Sequence, residues 1–384
     1  MATVTAPVRV EAEQKVTPLE LFFDLVFVFA ITQVTAMLAH DPTWAGLGRG
    51  LLVLANLWWA WAAFSWLTNT IDPDHGATRL AMIGASAAAL IASLAVPGAF
   101  GRDALAFGLA YTAVRVLHVV LFILATPDRE VRGAIERMAP GFLISSGLIV
   151  AAAGFHGGAR TELWCLALLV HVVGLWVVGV RGWKVYAGHF AERHGLIVII
   201  ALGESIVSVG VGAAGHRVDA PIIATAVLGV ALAAAIWWSY FDVAAIVAER
   251  RLRRAEGDER ARIARDSYTY LHLPMVAGIV LLALGIKKTA PHTGEALGAV
   301  PAFCLCGGVA MYLLAHVAFR LRNVHTLNRR RVVAAAVCLA LFPVSTAVPA
   351  LVALALVTAV LCTLIAYESV RYAGARERIR HASD

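Results

Sequence analysis

The chain has 384 residues, 60% of them hydrophobic and only 15% charged, with a formal net charge of +7. Its mean hydropathy is +0.77. A soluble domain of this length is far more polar, and apolar runs of about 20 residues recur throughout. These features exclude a soluble globular protein and predict an all-α, polytopic integral membrane helix bundle. The opening MATVTAPVRVEAEQK is polar and mixed in charge, so no cleaved leader is expected.

Twelve transmembrane helices are predicted in chain order, at about 18–39, 46–68, 77–98, 104–125, 137–155, 162–180, 194–212, 220–247, 268–287, 296–319, 331–346 and 349–370. The first carries Glu20, Asp24 and Gln33 in or beside apolar sequence. A carboxylate in hydrocarbon costs a few kcal/mol, so it is paired, neutralised or turned inward. Glu20 and Asp24 are four residues apart and share one face near the helix start, where they form a gate candidate or an interfacial cap. Gln33 lies at mid-depth and points away from Asp24. Trp58 and Trp59 sit near the middle of the second span, as packing or as a cavity lining. The third span carries GASAAALIAS (84–93), a face suited to close helix packing.

Arg115 is the internal arginine of the fourth span, with Tyr111 and His118 on its face. It needs a counter-charge, for which Glu204 or Asp24 is the candidate, or it grips an anionic substrate through its planar fork. Glu192, Arg193 and His194 cluster at the entry to the seventh span, as a gate or as topology anchors. Glu204 lies about ten residues further in, roughly 15 Å deep. Ser208 follows one turn later, and the pair reads as a proton or cation site. His118, His171, His272 and His316 are spread over four spans without a ligand spacing for haem, so no cofactor is expected. The five cysteines form neither a disulfide framework nor a zinc pattern.

Of the 32 Lys and Arg residues, 25 fall on the side of the N-terminus and 6 on the other, with Arg115 inside a span. The positive-inside rule then places both termini in the cytoplasm. The cluster RRLRRAEGDERARIAR (250–265) faces anionic lipid headgroups on this reading, and nucleic acid is not an expected partner. Weak similarity between the halves (Glu20 with Glu192, Trp58–Trp59 with Trp237–Trp238, Tyr111 and Arg115 with Tyr312 and His316) predicts a parallel 6+6 repeat. The expected organisation is an N-terminal tail (1–17), a first membrane half (18–181), a second half (182–370) with a basic cytoplasmic loop (249–267), and a C-terminal tail (371–384).

Four segments carry a family resemblance: LELFFDLVFVFAITQ (19–33), NLWWAWAAFSWLTNTIDPD (56–74), ERHGLIVIIALGES (192–205) and WWSYFD (237–242). In order, over about Val16 to Arg322, they resemble the bacterial low temperature requirement A family. The resemblance implies a bacterial inner-membrane protein whose family name reports a growth phenotype in the cold. It implies no agreed reaction or substrate.

The residues themselves favour a proton- or ion-coupled secondary transporter of a small solute. Glu204, Arg115, Asp24, Ser208, Tyr111, His118 and Gln33 are its candidate binding residues, and Glu20, Glu192, Arg193 and His194 its candidate gate. No P-loop, GxSxG, HExxH or dinucleotide fingerprint supports an enzyme. A membrane-embedded cofactor-dependent or lipid-modifying enzyme and a non-catalytic sensor of membrane state remain as alternatives.

Overall fold

A computed structural model describes residues 15–74 and 76–381. The expected N-terminal tail therefore falls outside the described residues up to position 14, and the C-terminal tail from position 382. The described chain is helical, and eleven helical segments are long and apolar enough to cross a bilayer. The first six are α1 (Pro18–His40), α2 (Trp44–Thr70), α3 (Gly76–Ala95), α4 (Ala104–Ala125), α5 (Arg129–Ala152) and α6 (Gly157–Val178). Then follow α7 (Ala187–Ala213), α8 (Ala220–Phe241), α9 (Ala244–Arg254), α10 (Gly257–Ile263), α11 (Leu271–Thr289) and α12 (Ala299–Val324). The chain ends in α13 (Arg329–Ala340), α14 (Phe342–Ser345), α15 (Ala350–Arg371) and α16 (Ala373–His381).

One expected span is not a single crossing helix. Residues 331–346 fall in α13 and α14, which are interrupted at Leu341. Pro343 stands in the first turn of α14 and lacks the N–H that would continue the ladder. At 12 residues, α13 is about 18 Å long, short of the hydrocarbon thickness. The basic segment 249–267 is also no loop: it lies in α9, α10 and a π-helical stretch, Ala264–Tyr270, that leads into α11.

Two helices begin well before their apolar cores. α5 starts at Arg129 and α7 at Ala187, seven or more residues ahead of the predicted starts. Charged residues in these first turns read as loop by hydropathy. In α5, Asp128 instead caps the helix, accepting from the Glu130 and Val131 N–H groups. Lys184 reaches the same carboxylate at 2.5 Å. That hydrogen bond holds the Asp128 carboxyl below the usual carboxylate range and raises the Lys184 ammonium.

The helices form two compact units. The first gathers the residues up to Met37, Gly48–Arg193 and Ala255–Arg265; the second gathers Leu38–Leu47, His194–Arg254 and the residues from Asp266 onward. In the first, α3, α4, α5 and α6 pack in chain order. The buried face of α3 takes in Ala85, Ser86, Ala89, Ala92 and Ser93 of the small-residue segment 84–93, together with Thr78, Met82 and Ala95, and α3 packs on α4. Outward faces carry large apolar side chains, including Leu166, Leu169, Val173 and Trp176 of α6, as lipid contact requires. In the second unit α11 and α12 approach most closely. A Cβ on Gly308 would lie 2.6 Å from the Gly278 carbonyl oxygen and 2.7 Å from the Leu282 nitrogen. The double tryptophans differ in setting: Trp58 and Trp59 are buried, whereas Trp237 and Trp238 are exposed.

A buried charge ladder and two arginine sites

The first unit buries four ionisable side chains together. Thr17-Pro18-Leu19-Glu20 starts α1 as a capping box: the Thr17 N–H donates to Glu20 Oε2 at 2.8 Å, and the Glu20 N–H to Thr17 Oγ1 at 3.3 Å. One turn later, Asp24 faces the same way. The neighbouring Leu21, Phe22 and Leu25 point outward, so α1 keeps charge inside and apolar surface outside.

α7 answers with its own pair one turn apart, His189 and Arg193. His189 Nε2 lies 2.9 Å from Glu20 Oε1, and Arg193 Nη2 lies 2.9 Å from Asp24 Oδ1. Both rungs join residues 169 apart in sequence, so these turns of α1 and α7 run parallel and in register. Arg193 Nη1 is 3.7 Å from Glu20, and its guanidinium lies 5.8 Å from the Trp61 ring. Trp61 Nε1–H also donates to Asp24 Oδ1 at 2.9 Å. All four ladder side chains are buried.

Asn69, at the end of α2, orients the imidazole. Its Oδ1 accepts the Tyr186 N–H, and its Nδ2 donates to the Tyr186 carbonyl, which fixes the amide. Nδ2 then donates to His189 Nδ1 at 3.1 Å. With Nδ1 an acceptor, the ring carries its proton on Nε2, directed at Glu20. Over these four side chains, the described contacts set two carboxylates of α1 beside one guanidinium and one imidazole of α7.

Arg115 lies at the middle of α4 in the same unit. Its Nη1 donates to the Trp59 carbonyl at 2.9 Å, and its guanidinium lies 4.4 Å from the Phe142 centroid. Tyr111 and His118 are buried beside it on α4. Asp24, one of its candidate counter-charges, is paired with Arg193. Gln33 is half-buried on α1. Glu192 is exposed and accepts the Val16 N–H at 3.1 Å.

The second unit holds Glu204 and Ser208, both buried, with Ser208 Oγ donating to Glu204 Oε1 at 3.1 Å. Because α7 begins at Ala187, Glu204 lies roughly 6 Å past the helix midpoint. Lys287, near the end of α11, is a positive charge acting on it. His194 packs against the Tyr268 and His272 rings. Asp242, at the end of α8, pairs with Arg376 and Arg380 of α16.

Sequence reasoning missed another buried pair in this unit. Arg331 of α13 binds Glu368 of α15 through two bonds, Nε to Oε1 at 3.2 Å and Nη2 to Oε2 at 2.8 Å. Its Nη1 meets His316 Nδ1 at 2.7 Å and the Ser239 carbonyl at 3.4 Å. In the sequence, Arg331 is only the first residue of the expected span 331–346.

Apolar helices of spanning length around buried ion pairs define an integral, multi-pass helical membrane protein. The chain belongs to the bacterial low temperature requirement A (LtrA) family, whose model matches residues 15–366. It is also similar to the "Uncharacterized protein RA0937" of Rhizobium meliloti (strain 1021), at 29% identity over 288 residues, 71% of this chain and 69% of the relative. No solved structure matches the chain.

Proposed function

We propose that the protein is a proton-coupled secondary transporter of a small solute in the bacterial inner membrane, with both termini in the cytoplasm. The observation that carries this reading is the buried ladder itself: two carboxylates one turn apart on α1, bonded to a guanidinium and to an imidazole held in one tautomer on α7. Asp24 is the proton site in this reading, and once protonated it gives up its rung to Arg193. Intramembrane ionisable residues mark ion and substrate pathways by default. Glu204 with Ser208 is a second ion-binding candidate on the same reasoning. Glu192 is retained as a gate residue, and Gln33, Tyr111 and His118 as pathway residues. The basic residues of α9 and α10 supply contacts for anionic headgroups.

The test uses full-length protein in vesicles loaded with a pH-sensitive dye. A panel of amino acids, sugars and carboxylates is screened for solute-dependent internal acidification. At least one solute acidifies wild-type vesicles, and Asp24→Asn and Glu204→Gln, each correctly folded, lose that flux. Acidification of equal size in Asp24→Asn removes the ladder as the proton site.

A further inference from the structure

Arg115 is 1% exposed, yet its described contacts are a carbonyl oxygen and a ring face, with no carboxylate among them. Nη1 is used by the Trp59 carbonyl. Nε and Nη2 have no hydrogen-bond partner among the described residues. These two N–H groups form the side-on edge of the guanidinium, the edge that receives both oxygens of a carboxylate in a bidentate pair. The Tyr111 hydroxyl, one turn earlier on α4, is also buried and unpartnered. His118 and His171 each bury an unpartnered Nδ1. Their rings lie 6.0 and 5.0 Å from the Phe142 ring that Arg115 also covers. Four unpartnered polar atoms thus belong to side chains packed on one aromatic ring, and the Tyr111 hydroxyl lies one turn from Arg115 at mid-depth in α4.

Arg331, in the second unit, is arranged differently. Arg331 commits the same side-on edge to both oxygens of Glu368, while its Nη1 reaches a carbonyl just beyond Trp237–Trp238. Arg115 likewise commits Nη1 to a carbonyl of the Trp58–Trp59 segment. The two local arrangements differ in the carboxylate: Glu368 is supplied by the chain in one, and no described residue supplies it in the other.

We propose that the Nε/Nη2 edge of Arg115, with the Tyr111 hydroxyl, binds the carboxylate of a small monocarboxylic acid. As the identity of the transported solute, this rests on the transporter reading; as a binding site it stands without it. The donor atoms are shielded, so a carboxylate reaches them only when the surrounding side chains part, and binding is coupled to that opening. A free organic acid and a fatty acid share the chemistry.

The test is thermal unfolding of the full-length protein in detergent, titrated with sodium acetate, sodium decanoate or sodium chloride at matched ionic strength. Acetate, decanoate or both stabilise the wild type saturably, and the arm that responds separates free acid from fatty acid. Chloride does not stabilise it. Arg115→Lys keeps the charge and loses the fork, so the responding carboxylate binds at least tenfold more weakly. Tyr111→Phe, a change that leaves the helix packed, weakens it several-fold and serves if the Arg115 variant does not fold. A response unchanged in both variants, or none to either carboxylate in the wild type, overturns the proposal. Binding in micelles requires no proton gradient, so a carboxylate response without solute-dependent proton flux keeps this site and removes the transporter reading.

Discussion

Removing Arg193 tests the ladder most directly. Its guanidinium is fully buried and serves both Asp24 and Glu20. Arg193→Gln leaves two buried carboxylates with one imidazole between them, and breaking a buried pair from one side costs about 3–5 kcal/mol. Asp24→Asn keeps an acceptor for Trp61 Nε1 but strands the guanidinium, at a similar cost of about 3–5 kcal/mol. If the two were independent, the double variant would lose about 6–10 kcal/mol, which few folded proteins survive. Because they are partners, the double variant carries two amides in place of two charges. Its loss is then about 2 kcal/mol, near that of a single imperfect hydrogen-bonded pair. The expected coupling is therefore about 4 kcal/mol or more. Reversible unfolding of the four proteins in mixed micelles measures it. Additivity within about 0.5 kcal/mol would mean that Arg193 and Asp24 do not share a rung, and the argument for Asp24 as the proton site would go with it.

Two further outcomes are expected. Gly308→Ala sets a Cβ against the Gly278 carbonyl and the Leu282 nitrogen at 2.6 and 2.7 Å, backbone atoms that cannot swing aside. The α11–α12 crossing must widen, at about 1–3 kcal/mol, read as a lowered unfolding midpoint, whereas Gly84→Ala, which meets nothing within 4 Å, leaves the midpoint unchanged. Asp128 has a depressed folded-state pKa, so its contribution is complete above its ordinary value of 3.8 and is lost as pH falls through the lower folded value. Lys184→Met removes the largest cause of that depression. The acid limb of the variant's stability then loses part of its dependence on Asp128, by less than about 1 kcal/mol because the pair is largely exposed. An acid limb identical in wild type and variant would show that the pair adds nothing.

Hydropathy carried most of the helices because lipid contact demands long apolar runs, and eleven of the twelve expected spans are such helices. It failed where charge is internally paired. The starts of α5 and α7 were placed late because their first turns are charged. α13 was read as part of a spanning helix although Pro343 interrupts it. The i,i+4 spacing of Glu20 and Asp24 was legible, and so was their place on one face near the helix start. The partner was half visible: Arg193 was singled out, but His189, one turn before it, was not. The repeated spacing on α7 was the available signal, as was T-P-L-E as a capping box. Trp61 and Asn69 lie inside the family-like segment 56–74, but nothing in spacing assigns them Asp24 and His189. The Arg331–Glu368 pair was illegible for a plainer reason: both residues sit at helix ends, where charges are ordinarily solvated, and only tertiary packing draws them inside.

Buried charge in this chain takes two forms with different consequences. Arg331 and Glu368 satisfy one another in a fork that is electrically closed, so the pair fixes α13 to α15 and has no reason to exchange protons or ligands. The ladder and Arg115 are built differently. The ladder sets two carboxylates of α1 against an imidazole and a single guanidinium of α7. Arg115 carries a positive charge whose carboxylate-binding edge has no partner among the described residues. On the transporter reading, the first takes a proton and the second a carboxylate. A proton site and an anion site within one unit are what joint uptake of a proton and an organic anion requires. Were Arg115 purely structural, its donors would be expected to find acceptors within the protein, as those of Arg331 do at Glu368 and those of Arg160 do at backbone carbonyls.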